Sequence, residues 1–380
     1  MSNEMPITKN AGIDSIVPQK NTDPKFVFEV GEGREGKEKP PVWVRLKADL
    51  SKQYYANIYA ELVEGDERGG EVDEAVRAEL AKILLSGGQL RTAEGIMHQP
   101  NQLNGTLIVF TPGLPGDSNV WFEKNHVPIL LEKGYTVLAL RHLGTKAQSG
   151  VFTDEAKTTD KSSVYVNCAE REAMNEPIGG ENEQNLETMA LEGAVAINAI
   201  GQNFKEIKFV SHSAGAVHTL YDFASGAIDK EHLPKVSSII NLSGYIGGDD
   251  EKYRTFTPLE YYEWCKQFIN MGDANTNVAL VKRMFQQVYE NPSAVPGSAM
   301  VVSVNPPDDE YVTLTGAENF QQVLKRGLVI DDRTQSKELY GGDVHDLANL
   351  QPETLVRLLN MSYPKSKHTV SVHDKKGKQK

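Results

Sequence analysis

F-V-S-H-S-A-G at residues 209 to 215 constrains this chain more than any other stretch. A mostly apolar run, Ile207 to Val210, stops at a small-x-Ser-x-small pattern, and a helix-compatible segment then runs from Ala214 through Val217, His218, Leu220 and Tyr221. A strand, a sharp turn and a helix in that order place one serine, Ser213, at the tip of the turn. Its neighbours must be small because strand and helix backbones approach closely there. The helix N-terminus presents free N–H groups and the positive end of its dipole to any anion formed at the serine. An ordinary buried strand followed by a helix satisfies the same pattern, so the rest of the chain must decide.

The 380 residues suffice for one large α/β domain with insertions or for two smaller domains. Hydrophobic content of 39% and charged content of 24% describe a soluble globular chain. No apolar run approaches the roughly 18 residues needed to span a bilayer. The opening M-S-N-E-M-P-I-T-K-N lacks the apolar core of a secretory signal. Cys168 and Cys265 exclude a disulfide scaffold and read as free thiols, so a cytoplasmic location is expected. The net charge of −12 argues against a nucleic-acid binder. The lysine-rich tail after Pro364 reads as a solvated, disordered end.

Residues 1–25 read as a polar, disordered arm. F-V-F-E-V (26–30) and V-W-V-R-L (42–46) alternate as half-buried strands, and 54–62 fits strand or helix equally. Val76, Leu80, Ile83 and Leu84 share one helical face behind an Asp73 N-cap, and Gly87-Gly88 ends that helix. The continuous apolar runs at 106–110 and 136–140 flank a helical segment through Val127, Ile129, Leu130 and Leu131. That rhythm of strand, helix and strand argues for a parallel sheet covered on both faces. A polar insertion fills 145–182, and helix signal returns from Asn185. Beyond the Ser213 helix come a strand at 236–244 and two aromatic-rich helices near 257–270 and 276–289. A strand at 299–304, a helix at 316–326, a short strand near Leu339-Tyr340 and a helix opening at Pro352 complete the series.

A serine hydroxyl is a weak nucleophile at neutral pH and needs a base, usually an imidazole held by a carboxylate. Here the residues resemble the α/β-hydrolase family. S-H-S-A-G resembles its nucleophile elbow, with Ser211 where the family usually has glycine. P-G-L-P-G-D-S-N-V-W (112–121) is similar to its H-G-x-P-G-x-S-x-x-W loop, with Pro112 in place of the histidine. Asp309-Glu310-Tyr311-Val312 resembles the Asp-x-x-Val turn after the family's penultimate strand.

The resemblance spans about residues 105–362 and implies the order Ser, acid, His, with the last two on loops at the C-terminal edge of the sheet. His218 falls too early for the base, His232 reads as a surface loop, and His368 and His373 belong to the tail. His345, between Gly341-Gly342 and the terminal helix, stands in the family's place for the base. Asp309 is the preferred acid over its neighbour Asp308, with Asp249 and Asp250 as weaker candidates. The oxyanion donors implied are the backbone N–H groups of Leu114 and Ala214. His142 and His212 read as structural.

The expected architecture is an α/β-hydrolase fold, a mostly parallel central sheet flanked by helices with a helical cap insertion. Its core is 105–247 with 299–363, its cap 248–298, and 26–104 is an N-terminal extension packed on or joined to that core. The tail is 364–380. The expected function is a serine hydrolase cleaving a small or medium carboxylic ester or lactone through an acyl-enzyme on Ser213. Thioesters, amides, peptides and carbon–carbon bonds are alternatives within the fold, and a non-catalytic ligand-binding protein is the alternative outside catalysis. The implied partner is a small acyl substrate, and no cofactor or metal is required. H-E-x-x-H, a phosphate-loop motif and metal-spaced Cys/His clusters are all missing from the sequence.

Overall fold

A computed structural model describes residues 41–67, 74–114, 118–142, 186–246, 256–266, 273–340, 344–345, 347 and 349–362. The strand expected at 26–30, the insertion at 145–182, both terminal arms, Cys168, Asp249 and Asp250 lie outside the described residues.

The strands are β1 (Val42–Ala48), β2 (Arg91–His98), β3 (Thr106–Thr111), β4 (Thr136–Arg141), β5 (Glu206–His212), β6 (Val236–Leu242), β7 (Met300–Asn305) and β8 (Leu328–Asp331). The α-helices are α1 (Lys52–Glu67), α2 (Glu74–Leu85), α3 (Ser118–Asn125), α4 (Val127–Glu132), α5 (Leu186–Ala190), α6 (Glu192–Ile200), α7 (Ala214–Ala224), α8 (Pro258–Cys265), α9 (Ala274–Glu290), α10 (Leu314–Leu324), α11 (Lys337–Tyr340) and α12 (Pro352–Leu359).

The eight strands among the described residues form one sheet in the order β1-β2-β4-β3-β5-β6-β7-β8. β2 runs antiparallel to both neighbours, and every pairing from β4 to β8 is parallel. This crossed, mostly parallel sheet with helices on both faces is the α/β-hydrolase fold.

Continuous apolar runs in the central strands, with successive side chains pointing to opposite faces, explain why both faces are covered. In β3, Leu107 and Val109 enter one core, with Tyr54 of α1, Leu80 of α2, Ile197 of α6, Leu220 of α7 and Phe285 of α9. Ile108 and Phe110 enter the other, with Phe122 of α3, Leu130 of α4 and Leu355 and Leu359 of α12.

Two open parts of the sequence reading narrow, and one changes. Residues 54–62 are helical, inside α1. The stretch read as an extension supplies the first two strands of the sheet. β2 hides from pattern reading because Glu94 and Gly95 interrupt its apolar residues. Gly95 is needed there, since a Cβ would lie 2.6 Å from the carbonyl oxygen of Ala139 on β4. The expected strand near Leu339-Tyr340 is instead α11, and the last strand is β8 at 328–331. β8 carries only three apolar residues and sits partly exposed at the sheet edge, so its burial pattern is too weak to read from sequence.

Candidate active site

Ser213 stands between β5 and α7 with φ 49° and ψ −124°. For a non-glycine residue this backbone is strained, at a cost of about 1–3 kcal/mol. Surrounding bonds hold it there. The Ser213 amide donates to the Leu242 oxygen at 3.1 Å, and its own oxygen accepts from Ala216 N at 3.0 Å and Tyr245 N at 2.9 Å. Gly215 has no alternative, because a Cβ would lie 2.2 Å from the Thr111 oxygen and 2.6 Å from that of Pro112. Ser211 is fully buried, and its hydroxyl donates sideways to Asn241 Oδ1 at 2.8 Å. A hydroxymethyl is therefore both small enough and hydrogen-bonded at that position.

Asp309 follows β7 and His345 lies beyond β8, so both stand at the C-terminal edge of the sheet with Ser213. His345 Nδ1 donates to Asp309, 2.9 Å from Oδ2 and 3.0 Å from Oδ1. The Asp309 side chain is completely shielded from solvent. Its Oδ1 also accepts from the amides of Tyr311 at 2.8 Å and Val312 at 2.9 Å, which fixes the carboxylate through its own turn. Asp308 points elsewhere: its Oδ2 accepts from Ser336 Oγ at 3.0 Å and the Lys337 amide at 3.2 Å. Of the two adjacent acids, only Asp309 meets the histidine.

The expected oxyanion donors flank the same serine. Leu114 and Ala214 are both buried. Ala214 opens α7, so its amide is among those with no partner inside the helix. Between them, Gly113 packs against Ser213, and a Cβ at residue 113 would lie 2.7 Å from the Ser213 Cβ. The β3 loop thus abuts the elbow. Pro115, Gly116 and Asp117 lie outside the described residues.

The remaining histidines separate by their partners. His218, on α7, is buried and shares a 2.9 Å hydrogen bond with the Tyr261 hydroxyl of α8. His142 is buried between Glu192 and the Pro112 oxygen, in line with a structural role. His232 differs from its reading as a surface residue: only 1% of it is exposed. The polar Asp-Lys-Glu-His segment folds so that its histidine turns inward at the start of a short 3-10 turn. Asp229, Glu231 and His232 bring one ligand atom each within 4.8 Å of one another, but Glu231 is exposed and no fourth protein donor joins them among the described residues.

Sequence reading missed what holds the histidine loop. The Nε2–H of His212 donates to the main-chain oxygen of His345 at 2.9 Å, and that of His126 donates to Leu350 at 3.2 Å. Both donors come from the body of the fold and bind backbone on either side of 345–350. Burial, reinforced by the neighbouring His345, pushes His212 down to about 3, which keeps its ring neutral. Aromatic rings line the same region. Tyr311 lies 5.0 Å from the His345 ring, and Trp264 of α8 lies 6.1 Å from Tyr311. Their only sequence signal was helical aromatic spacing around Trp264 and the position of Tyr311 two residues after the acid.

No family model matches the chain, and no curated protein matches it. Among solved structures, Est1E from Butyrivibrio proteoclasticus is 12% identical, covering 70% of this chain and 95% of its own, with a TM-score of 0.43. A monoacylglycerol lipase from Paleococcus ferrophilus is 10% identical over 62% of this chain and 88% of its own, with a TM-score of 0.39. The Pyrococcus horikoshii acylaminoacyl peptidase is 15% identical over 72% of this chain and 41% of its own, with a TM-score of 0.42. Likeness this distant adds nothing to the assignment. The strand order, the antiparallel β2 and the elbow at the end of β5 make this an α/β-hydrolase fold.

Proposed function

We propose that this chain is a serine hydrolase that transfers an acyl group to water, cleaving a carboxylic ester or lactone. The observation that carries the proposal is the contact of His345 Nδ1 with both oxygens of Asp309, on loops at the same sheet edge as the strained Ser213. In this reading, Ser213 Oγ attacks the substrate carbonyl while His345 Nε2 takes its proton. Asp309 keeps the proton of His345 on Nδ1, leaves Nε2 free to act as base, and stabilises the imidazolium that forms. The amides of Leu114 and Ala214 hold the tetrahedral oxyanion. His345 then protonates the leaving alcohol, and a water activated by the same imidazole releases the acid. The chemistry requires no cofactor.

The aromatic surroundings favour an apolar acyl or alcohol group. Tyr311 beside His345, Trp264 beside Tyr311, and Phe256 6.5 Å from Trp264 form a run of rings leading away from the base. In this account α8, in the segment between β6 and β7, lines the substrate pocket. A panel of esters of graded acyl length, assayed with wild type and Ser213→Ala, tests the reading. Turnover of at least one ester by wild type and its loss in the variant is the expected result; equal rates in the two would remove Ser213 from the chemistry.

A further inference from the structure

His142 follows β4 directly, and its side chain is completely shielded from solvent. Its Nε2 lies 3.0 Å from the main-chain oxygen of Pro112, and its Nδ1 lies 2.9 Å from Glu192 Oε2 at the start of α6. A carbonyl oxygen only accepts, so Nε2 carries the hydrogen in that contact. On the other side, one proton sits between Nδ1 and the Glu192 carboxyl, whichever atom owns it. The ring is thus oriented from one side by Glu192 and delivers an N–H to the loop on the other. His218 closes the third side, its ring edge-on at 5.4 Å and itself bonded to Tyr261.

The receiving carbonyl matters because it stands one residue before the peptide that carries the Leu114 N–H. Peptide planarity makes the Pro112 oxygen fix the plane of the Pro112–Gly113 unit, and the orientation of that unit constrains its neighbour. That loop lies close against the elbow, since a Cβ on Gly113 would lie 2.7 Å from the Ser213 Cβ and one on Gly215 would lie 2.6 Å from the Pro112 oxygen, so a small turn of this peptide is felt at the serine. Where the resembled loop has a histidine, this chain has proline, which brings no side-chain donor. The imidazole that reaches the loop comes instead from the end of β4.

We propose that His142, aimed by Glu192, is the positioning residue of the oxyanion loop, setting the Leu114 amide through the carbonyl of Pro112. This deepens the hydrolase reading and rests on it. His142 itself touches no substrate. Its loss misplaces one oxyanion donor and leaves the nucleophile and base intact.

Two readouts on the full chain test this. In nitrogen-15 imidazole spectra, with the His142 signals assigned by their loss in His142→Gln, Nε2 is expected to carry a slowly exchanging hydrogen. A bare Nε2 overturns the proposal whether or not any ester is turned over. In kinetics on an ester that wild type cleaves, His142→Ala is expected to lower kcat by about 10- to 100-fold with KM nearly unchanged. His142→Gln, which retains an N–H donor, is expected to recover part of that loss. Wild-type kcat in His142→Ala, or a loss that tracks thermal stability and is not recovered by glutamine, contradicts the proposal. Where the alanine variant does not fold, Glu192→Gln decides, since its amide still holds Nδ1 from the same side. Turnover close to wild type with the Nε2 hydrogen kept supports the proposal, and wild-type turnover with that hydrogen lost overturns it. Failure of the hydrolase reading looks different: Ser213→Ala would match wild type while the His142 spectrum stayed as expected.

Discussion

His212, the residue before the elbow serine, holds the backbone of His345: its Nε2–H reaches the His345 oxygen at 2.9 Å, and the two rings lie 4.9 Å apart. The turn that carries Ser213 therefore also anchors the loop that carries His345. Trp121 stands edge-on to the His212 ring at 5.6 Å and fixes it from the other side. His212→Ala removes a buried donor and leaves the His345 carbonyl without it. The expected cost is about 1–3 kcal/mol in stability and about 10- to 100-fold in kcat, because the proposed base, His345, is no longer held in register. Glutamine in its place keeps an N–H and is expected to lose less. Denaturant unfolding and ester kinetics on the two variants check this. An alanine variant that loses stability but keeps full kcat would separate His212 from catalysis.

Acid sensitivity is expected from each histidine that burial keeps neutral, and His126 allows one such contribution to be measured. Burial pushes His126 down to about 4 from its ordinary 6.5. Its Nε2–H is used on Leu350, and its Nδ1 has no partner among the described residues to welcome a second proton. As pH falls below 6.5 the unfolded chain binds a proton that the folded chain refuses, so folding loses stability. The contribution of this ring is complete above about 6.5 and is lost as pH falls towards 4. His126→Gln should show a stability profile shallower than wild type in that window by up to one proton, or about 1.4 kcal/mol per pH unit. Urea melts at several pH values measure the difference. Parallel profiles would mean that His126 is not held neutral.

Arg283 binds α9 into the body of the protein. One of its terminal nitrogens donates to Glu187 Oε1 at 2.7 Å and to the Tyr221 hydroxyl, while Nε and the other nitrogen donate to the two oxygens of Glu61 at 2.7 and 3.0 Å. The Tyr54 and Tyr221 hydroxyls donate to the same Glu187 oxygen at 3.0 and 2.6 Å. Removing the guanidinium in Arg283→Ala leaves the buried Glu187 carboxylate without its cation, at an expected cost of about 3–5 kcal/mol. The double variant Arg283→Met with Glu187→Gln should recover much of that loss, because the uncompensated charge is gone. Chemical denaturation of both variants measures it. A single variant as stable as wild type would show that the network adds nothing.

The sheet was legible wherever a strand is buried on both faces. β3, β4 and β7 are near-continuous apolar runs, and β5 and β6 each keep an apolar pair at their centre, because helices cover both sides. β2 and β8 were not legible. One has Glu94 and Gly95 at its middle, and the other is an edge strand of four residues. Asp309 and His345 were implied by the resemblance to the hydrolase family, and in the structure the two side chains are hydrogen-bonded. What stayed hidden is cross-chain backbone capture: His126 to Leu350, His212 to His345, and His142 to Pro112. Each joins a side chain to a main-chain oxygen far away in sequence, and residue type alone does not announce such a partner. His232 was misread for a related reason. The charged residues around it speak for a surface turn, while the ring itself folds inward.

The central claim is that Ser213 is made nucleophilic by His345 and Asp309. Intact-mass spectrometry after brief exposure to a fluorophosphonate tests it most directly. Wild type is expected to gain a single phosphonyl adduct, mapped by peptide sequencing to Ser213, with Ser213→Ala and His345→Ala unlabelled under the same conditions and Asp309→Asn labelled far more slowly. Folded wild type that gains no adduct at Ser213, or His345→Ala labelled at that residue as fast as wild type, would contradict the account.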